Sequence, residues 1–146
     1  MEEDKSAAKS PAVNAADDGA TTNARAVAAQ KHAERVEKAV KEAENLARSG
    51  HLADALNMLY AEEKTCRVAE EAANTATAAV MIVQLCWDAK DVQAVIDNVV
   101  LIARKRGQLA TVTSAVVDRA MSFLDALAQS DPAQHEKLVK GLRNVT

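Results

Sequence analysis

In the stretch Cys86 to Leu109, CWDAKDVQAVIDNVVLIARKRGQL, the apolar positions recur on a helical period, and the rest of the chain is organised around it. Val92, Val95, Ile96, Val99 and Ala103 fall at i, i+3, i+4, i+7 and i+11, along one side of a helix of 3.6 residues per turn. The same spacing excludes a strand. The stretch contains the end of one apolar helix, a tight polar break, a complete amphipathic helix, and a basic stop followed by glycine, which is most of a helical hairpin.

The pattern extends in both directions. From about Gln30 to Ser49, Ala33, Val36, Val40, Ala43 and Ala47 share one face, and Glu34–Lys38 and Glu37–Lys41 form i,i+4 pairs in the favoured order on the charged faces. Gly50 ends that helix as a left-handed C-cap would. The next helix, about 51 to 67, buries Leu52, Ala55, Leu56 and Leu59. A third, about 70 to 88, is almost wholly apolar in its second half, AAVMIVQLCW, so it must be covered on most sides, with Trp87 as its largest anchor. After Gly107, the residues Leu109, Val112, Val116, Ala120, Phe123 and Leu127 predict one helix ending near Gln129. Ser130-Asp131-Pro132 then reads as a cap followed by proline at the first helical position, opening a last helix to about Arg143 with Leu138 and Leu142 inside.

Part of this pattern repeats. Leu46 to Leu59 aligns with Cys86 to Val99 at an offset of forty, matching Leu52 to Val92, Ala55 to Val95, Leu56 to Ile96 and Leu59 to Val99. Helix, turn, helix at a period near forty is the signature of a solenoid whose hairpins bury their faces against their neighbours. The expected fold is therefore all-α: a right-handed α-solenoid of antiparallel hairpins, TPR-like or HEAT-like, with about six helices over 30–146. Residues 1–29, rich in Ala, Ser, Thr, Asn and Asp with Pro11 and Gly19, lack the aliphatic residues to offset ordering entropy and are expected to be a disordered tail.

Composition supports helices. Aromatics are 2 % of the chain, and the glycines (4) and prolines (2) are too few for many tight turns. The formal net charge of −3 gives no field that would predict binding to nucleic acid or an anionic membrane. No run reaches the ~18 apolar residues of a membrane span, and the acidic start MEEDKSAAKS is unlike a signal peptide. Cytoplasm and nucleus are the expected locations. Cys66 and Cys86 lack CxxC spacing and are read as buried thiols.

The sequence carries no HExxH, no GxSxG and no glycine-rich phosphate loop, and His32, His51 and His135 have no companions at metal-ligand spacing. No enzyme activity, cofactor, metal or small-molecule substrate is expected. The candidate binding residues are Lys90 and the triplet Arg104, Lys105 and Arg106. The triplet has two readings: cations complementing a helix dipole, or a basic patch that docks an acidic partner surface.

Three ordered segments, Glu62-Glu63-Lys64-Thr65-Cys66-Arg67, Cys86-Trp87-Asp88 and Ala103 to Leu109, together with the closing LRNVT, resemble the amino-terminal region of the 26S proteasome non-ATPase regulatory subunit 12 family, lid subunits with a PCI domain. The sequence departs from the family pattern at Asp91-Val92 and at Ile96-Asp97-Asn98. The family's later repeats and its winged-helix PCI module are missing from this sequence, which looks like an amino-terminal fragment, a truncated gene model or a shortened isoform. The resemblance implies an architectural role: a non-catalytic solenoid arm contacting other lid and core-particle subunits in ubiquitin-dependent degradation. The alternative is a free-standing helical adaptor that binds an amphipathic partner helix.

Overall fold

The computed structural model describes residues 3–145, with side chains from residue 23 onward. The described residues form helices and no strands. In chain order the helices are α1 (Glu3–Arg48), α2 (Leu52–Val68), α3 (Ala72–Asp88), α4 (Val92–Ala103), α5 (Ala110–Met121), α6 (Leu124–Ser130) and α7 (Pro132–Val145). The chain divides into two compact units, Met1–Glu34 and Arg35–Thr146. In the first, the segment expected to be a tail is helical from Glu3 onward, consistent with alanine-rich chains propagating helix once it is nucleated. Its side chains from Asn23 to Val27 are exposed, so propensity and not burial accounts for the helix there.

In the second unit the first three turns are spaced at a fixed interval. Gly50, Glu70 and Lys90 all have positive φ (86°, 59° and 60°), and they stand twenty residues apart. Each ends a helix through the same pair of bonds. His51 N donates to Leu46 O and Gly50 N to Ala47 O; Glu71 N donates to Cys66 O and Glu70 N to Arg67 O; Asp91 N donates to Cys86 O and Lys90 N to Trp87 O. This is the Schellman arrangement, which satisfies the last carbonyls of a helix. At Glu70 and Lys90 a residue with a Cβ occupies the left-handed conformation, which costs about 1 kcal/mol relative to glycine. Helix α3 accordingly starts at Ala72, two residues later than the apolar pattern predicts, because Glu70 belongs to the preceding turn.

The core follows the predicted stripes. Val36 and Ala43 of α1, Ala55 and Leu59 of α2, Val95 and Val99 of α4, Val112 and Val116 of α5, and Leu138 and Leu142 of α7 are buried. Helix α3 packs on α2, α4 and α5, so its apolar second half is covered on several sides, as its composition requires. Helix α7 lies on α4 and α6. Two of the four aligned pairs are buried alike, Ala55 with Val95 and Leu59 with Val99, while Leu52 and Leu56 are half-buried where Val92 and Ile96 are buried.

One expected element is divided. The helix predicted over 109–129 breaks at Ser122-Phe123 into α5 and α6. Here the hydrogen bonds tighten to i→i−3: Ser122 N donates to Arg119 O and Phe123 N to Ala120 O, both at 3.1 Å, while Ser122 Oγ also bonds Arg119 O. A serine hydroxyl competing for backbone acceptors loosens a helix at such a point. The phenyl ring of Phe123 stacks on the Trp87 indole with centroids 4.4 Å apart and planes 3° apart.

Candidate functional site

Two polar clusters lie among the apolar stripes. The first joins α2 to the loop between α4 and α5. Glu63 is 2 % exposed, and its Oε2 accepts from Arg67 Nε at 2.9 Å and from Gln108 Nε2 at 3.0 Å. Arg67 Nη1 donates to the backbone carbonyl of Arg106 at 2.7 Å, and Gln108 Nε2 also donates to Ile102 O at 2.9 Å. Gln108 Oε1 accepts from Leu109 N at 3.1 Å. A buried carboxylate is tolerated only when it is paired and hydrogen-bonded, and here two donors supply that. The 62–67 and 103–109 segments therefore meet in space and hold each other.

The second cluster is inside the hairpins. Tyr60 donates its hydroxyl to Asn98 Oδ1, while Asn98 Nδ2 donates to Ala94 O at 2.9 Å and lies 3.4 Å from Cys86 Sγ. Cys66 and Cys86 are both free and buried. Burial pushes each thiol up to about 11, with Glu71 and Glu62 adding to the effect at Cys66 and Asp91 at Cys86. Thiols so shifted are inert neutral groups near neutral pH. Desolvation, aided by the neighbouring Cys86, raises Tyr60 as well.

Sequence reading missed Glu63, Gln108 and Asn98, although a signal was present. Glu63 continues the stripe Leu52, Ala55, Leu56, Leu59 at i+4, and Asn98 follows Val95 at i+3, so each puts a polar group in register with buried positions.

The four candidate binding residues do not form one patch. Lys90 caps the turn before α4, and Arg104 to Arg106 follow the helix end, so twelve residues of helix, about 18 Å, separate them. Lys90 instead borders a cleft of about 570 Å³ together with Trp87, Val92, Leu127, Asp131 and Gln134. Arg104 and Arg106 are exposed and Lys105 half-buried. Among the described residues no three His, Cys, Asp or Glu side chains converge as a metal site would need, and no helix is long and apolar enough to cross a membrane.

Helices packed through buried apolar stripes, with internal polar groups bonded to one another, define an all-helical domain. The chain matches the family model described as PSMD12/CSN4, N-terminal, over residues 54–146, and it belongs to that family. It is 34 % identical over 110 residues to the 26S proteasome non-ATPase regulatory subunit 12 of Dictyostelium discoideum, covering 75 % of this chain and 24 % of that protein. It is 38 % identical over 98 residues to homolog A of the same subunit in Arabidopsis thaliana, and 35 % identical over 97 residues to homolog B; these matches cover 67 % and 66 % of this chain and 22 % of each relative. The chain thus spans about a quarter of the length of these relatives. No solved structure matches it.

Proposed function

We propose that this chain is a non-catalytic scaffold element of the 26S proteasome regulatory-particle lid, contacting other lid and core-particle subunits in ubiquitin-dependent degradation in cytoplasm and nucleus. The observation that carries this reading is family membership over 54–146, the same residues that form the stitched hairpins. The twenty-residue spacing of the Schellman turns favours a regular stack, and the reading takes it as a right-handed α-solenoid arm. Glu63, Arg67 and Gln108 of the motif segments are engaged in joining α2 to the α4–α5 loop, which suits a rigid arm better than a reactive pocket.

The test is affinity capture from extract of the source cells with the tagged 146-residue chain, followed by mass spectrometry. Recovery of lid subunits above an untagged control is the expected result. An unrelated partner set would overturn the lid assignment in favour of a free-standing helical adaptor.

A further inference from the structure

The loop between α4 and α5 carries three cations that the fold does not use. Two of the carbonyls ending α4 are already served: Val100 O accepts from Arg104 N at 3.1 Å, and Ile102 O accepts from Lys105 N at 3.3 Å and from the Gln108 side chain at 2.9 Å. Helix α4 ends at Ala103; the chain turns at Gly107, φ 76°, and Gln108 N closes the turn on Lys105 O at 3.1 Å. Arg67, itself neutralised by Glu63, fixes the loop through the Arg106 carbonyl. Both of those α4 carbonyls are capped without the side chains of Arg104, Lys105 or Arg106. None of the three forms an ion pair with another described residue. Positive charge is thus concentrated and held in place on a chain whose net charge is −3.

We propose that Arg104, Lys105 and Arg106 form a docking site for an acidic segment of a protein partner, presented by the Glu63–Arg67–Gln108 latch. The latch matters because cations on a loop already ordered lose less side-chain and backbone freedom when they pair. Arginine suits the task, since its planar fork meets a carboxylate through two parallel bonds. Nucleic acid is the poorer fit. Three cations make a small basic face, and the aromatic rings that would stack bases are engaged elsewhere, Trp87 on Phe123 and Tyr60 with Asn98. The inference rests on the scaffold reading for the partner's identity, but not for its chemistry.

The experiment titrates the full 146-residue chain with a fluorescently labelled oligoglutamate peptide by anisotropy, at low and near-physiological salt, with oligothymidylate as the parallel probe. Saturable binding of oligoglutamate is expected, weakening with salt, and the variant R104E/K105E/R106E should lose at least about tenfold in affinity. R104A/R106A should lose a smaller factor, and K90E, at the far end of α4, should leave binding unchanged. Gln108→Ala keeps every charge but frees the loop, so it should weaken binding severalfold with the helical circular-dichroism signal retained. Absent binding, binding indifferent to the triple reversal, or oligothymidylate bound as tightly and lost in the same variants would overturn the proposal. Capture by the wild-type chain separates the two readings. Oligoglutamate binding without recovery of lid subunits defeats only the lid assignment, and recovery of the lid equally by wild type and by R104E/K105E/R106E defeats only the docking site.

Discussion

Helices α4 and α7 approach closely enough that one added methyl group should be felt. A Cβ on Gly141 would lie 2.7 Å from Ile96 Cγ2, 3.0 Å from Cγ1 and 3.3 Å from Cδ1. Non-bonded carbons prefer about 3.5–4.0 Å, so α7 must retreat by several tenths of an ångström or the Ile96 side chain must leave its position. Ile96 is 9 % exposed and faces a packed core, so neither adjustment is free. Two effects oppose each other in Gly141→Ala. Replacing glycine inside a helix gains up to about 1 kcal/mol of propensity, while overpacking a core contact costs about 1–3 kcal/mol. The expected net is a destabilisation of about 1 kcal/mol, a fall of several degrees in Tm. Urea unfolding followed at 222 nm would measure it, with an unchanged m-value confirming that the native and denatured states are otherwise alike. A double-mutant cycle sharpens the test. Ile96→Ala alone should cost about 2–5 kcal/mol as a cavity, yet the added methyl should be tolerated in that background, giving a coupling of about 1 kcal/mol or more. Gly141→Ala raising the midpoint, with additive behaviour in the cycle, would refute close contact between α4 and α7.

Further outcomes follow from other features of the structure. Gly50→Ala should destabilise by about 1 kcal/mol although no atom lies near its Cβ, because φ is 86°, whereas Glu70→Gly and Lys90→Gly should be neutral or stabilising by up to about 1 kcal/mol; thermal melts of the three variants check this. Arg67→Met leaves Glu63 buried with Gln108 as its remaining donor and should cost about 3 kcal/mol or more, while Glu63→Gln should cost less because it removes the charge that needs pairing; denaturant midpoints of the two single variants decide it. The thiols of Cys66 and Cys86 ionise near 9 when unfolded and near 11 when folded, so their contribution is fully present below pH 9 and is lost as pH rises towards 11. Tm should therefore decline progressively over that window, and less steeply in Cys66→Ala; a flat profile to pH 11 in the wild type would contradict it.

Most of the helical arrangement was legible along the chain because it depends on local information. Alanine and aliphatic residues at a 3.6-residue period place α2, α3, α4 and α7 within a residue or two of their bounds, and Asp131 accepting from Gln134 N ahead of Pro132 starts α7 where the cap signal lies. The hairpin at Gly50 was likewise visible, since glycine marks the left-handed cap. The equivalent turn at Glu70 was hidden, because the conformation is imposed there by the same hydrogen-bond pair but on a residue that does not advertise it.

The amino-acid sequence alone determined that this protein is helical, where its apolar faces run, and which family segments it carries, because periodicity and motif order are properties of neighbours along the chain. Tertiary structure decided what those segments do. Glu63 and Gln108 are forty-five residues apart, and Trp87 and Phe123 thirty-six, so neither pairing could be read from spacing. It also divided the candidate basic site, since the rigid length of α4 places Lys90 at one end and Arg104 to Arg106 at the other. The physical reason is that a charge's partners are set by which helix ends the packing brings together, and packing depends on the whole set of buried faces at once.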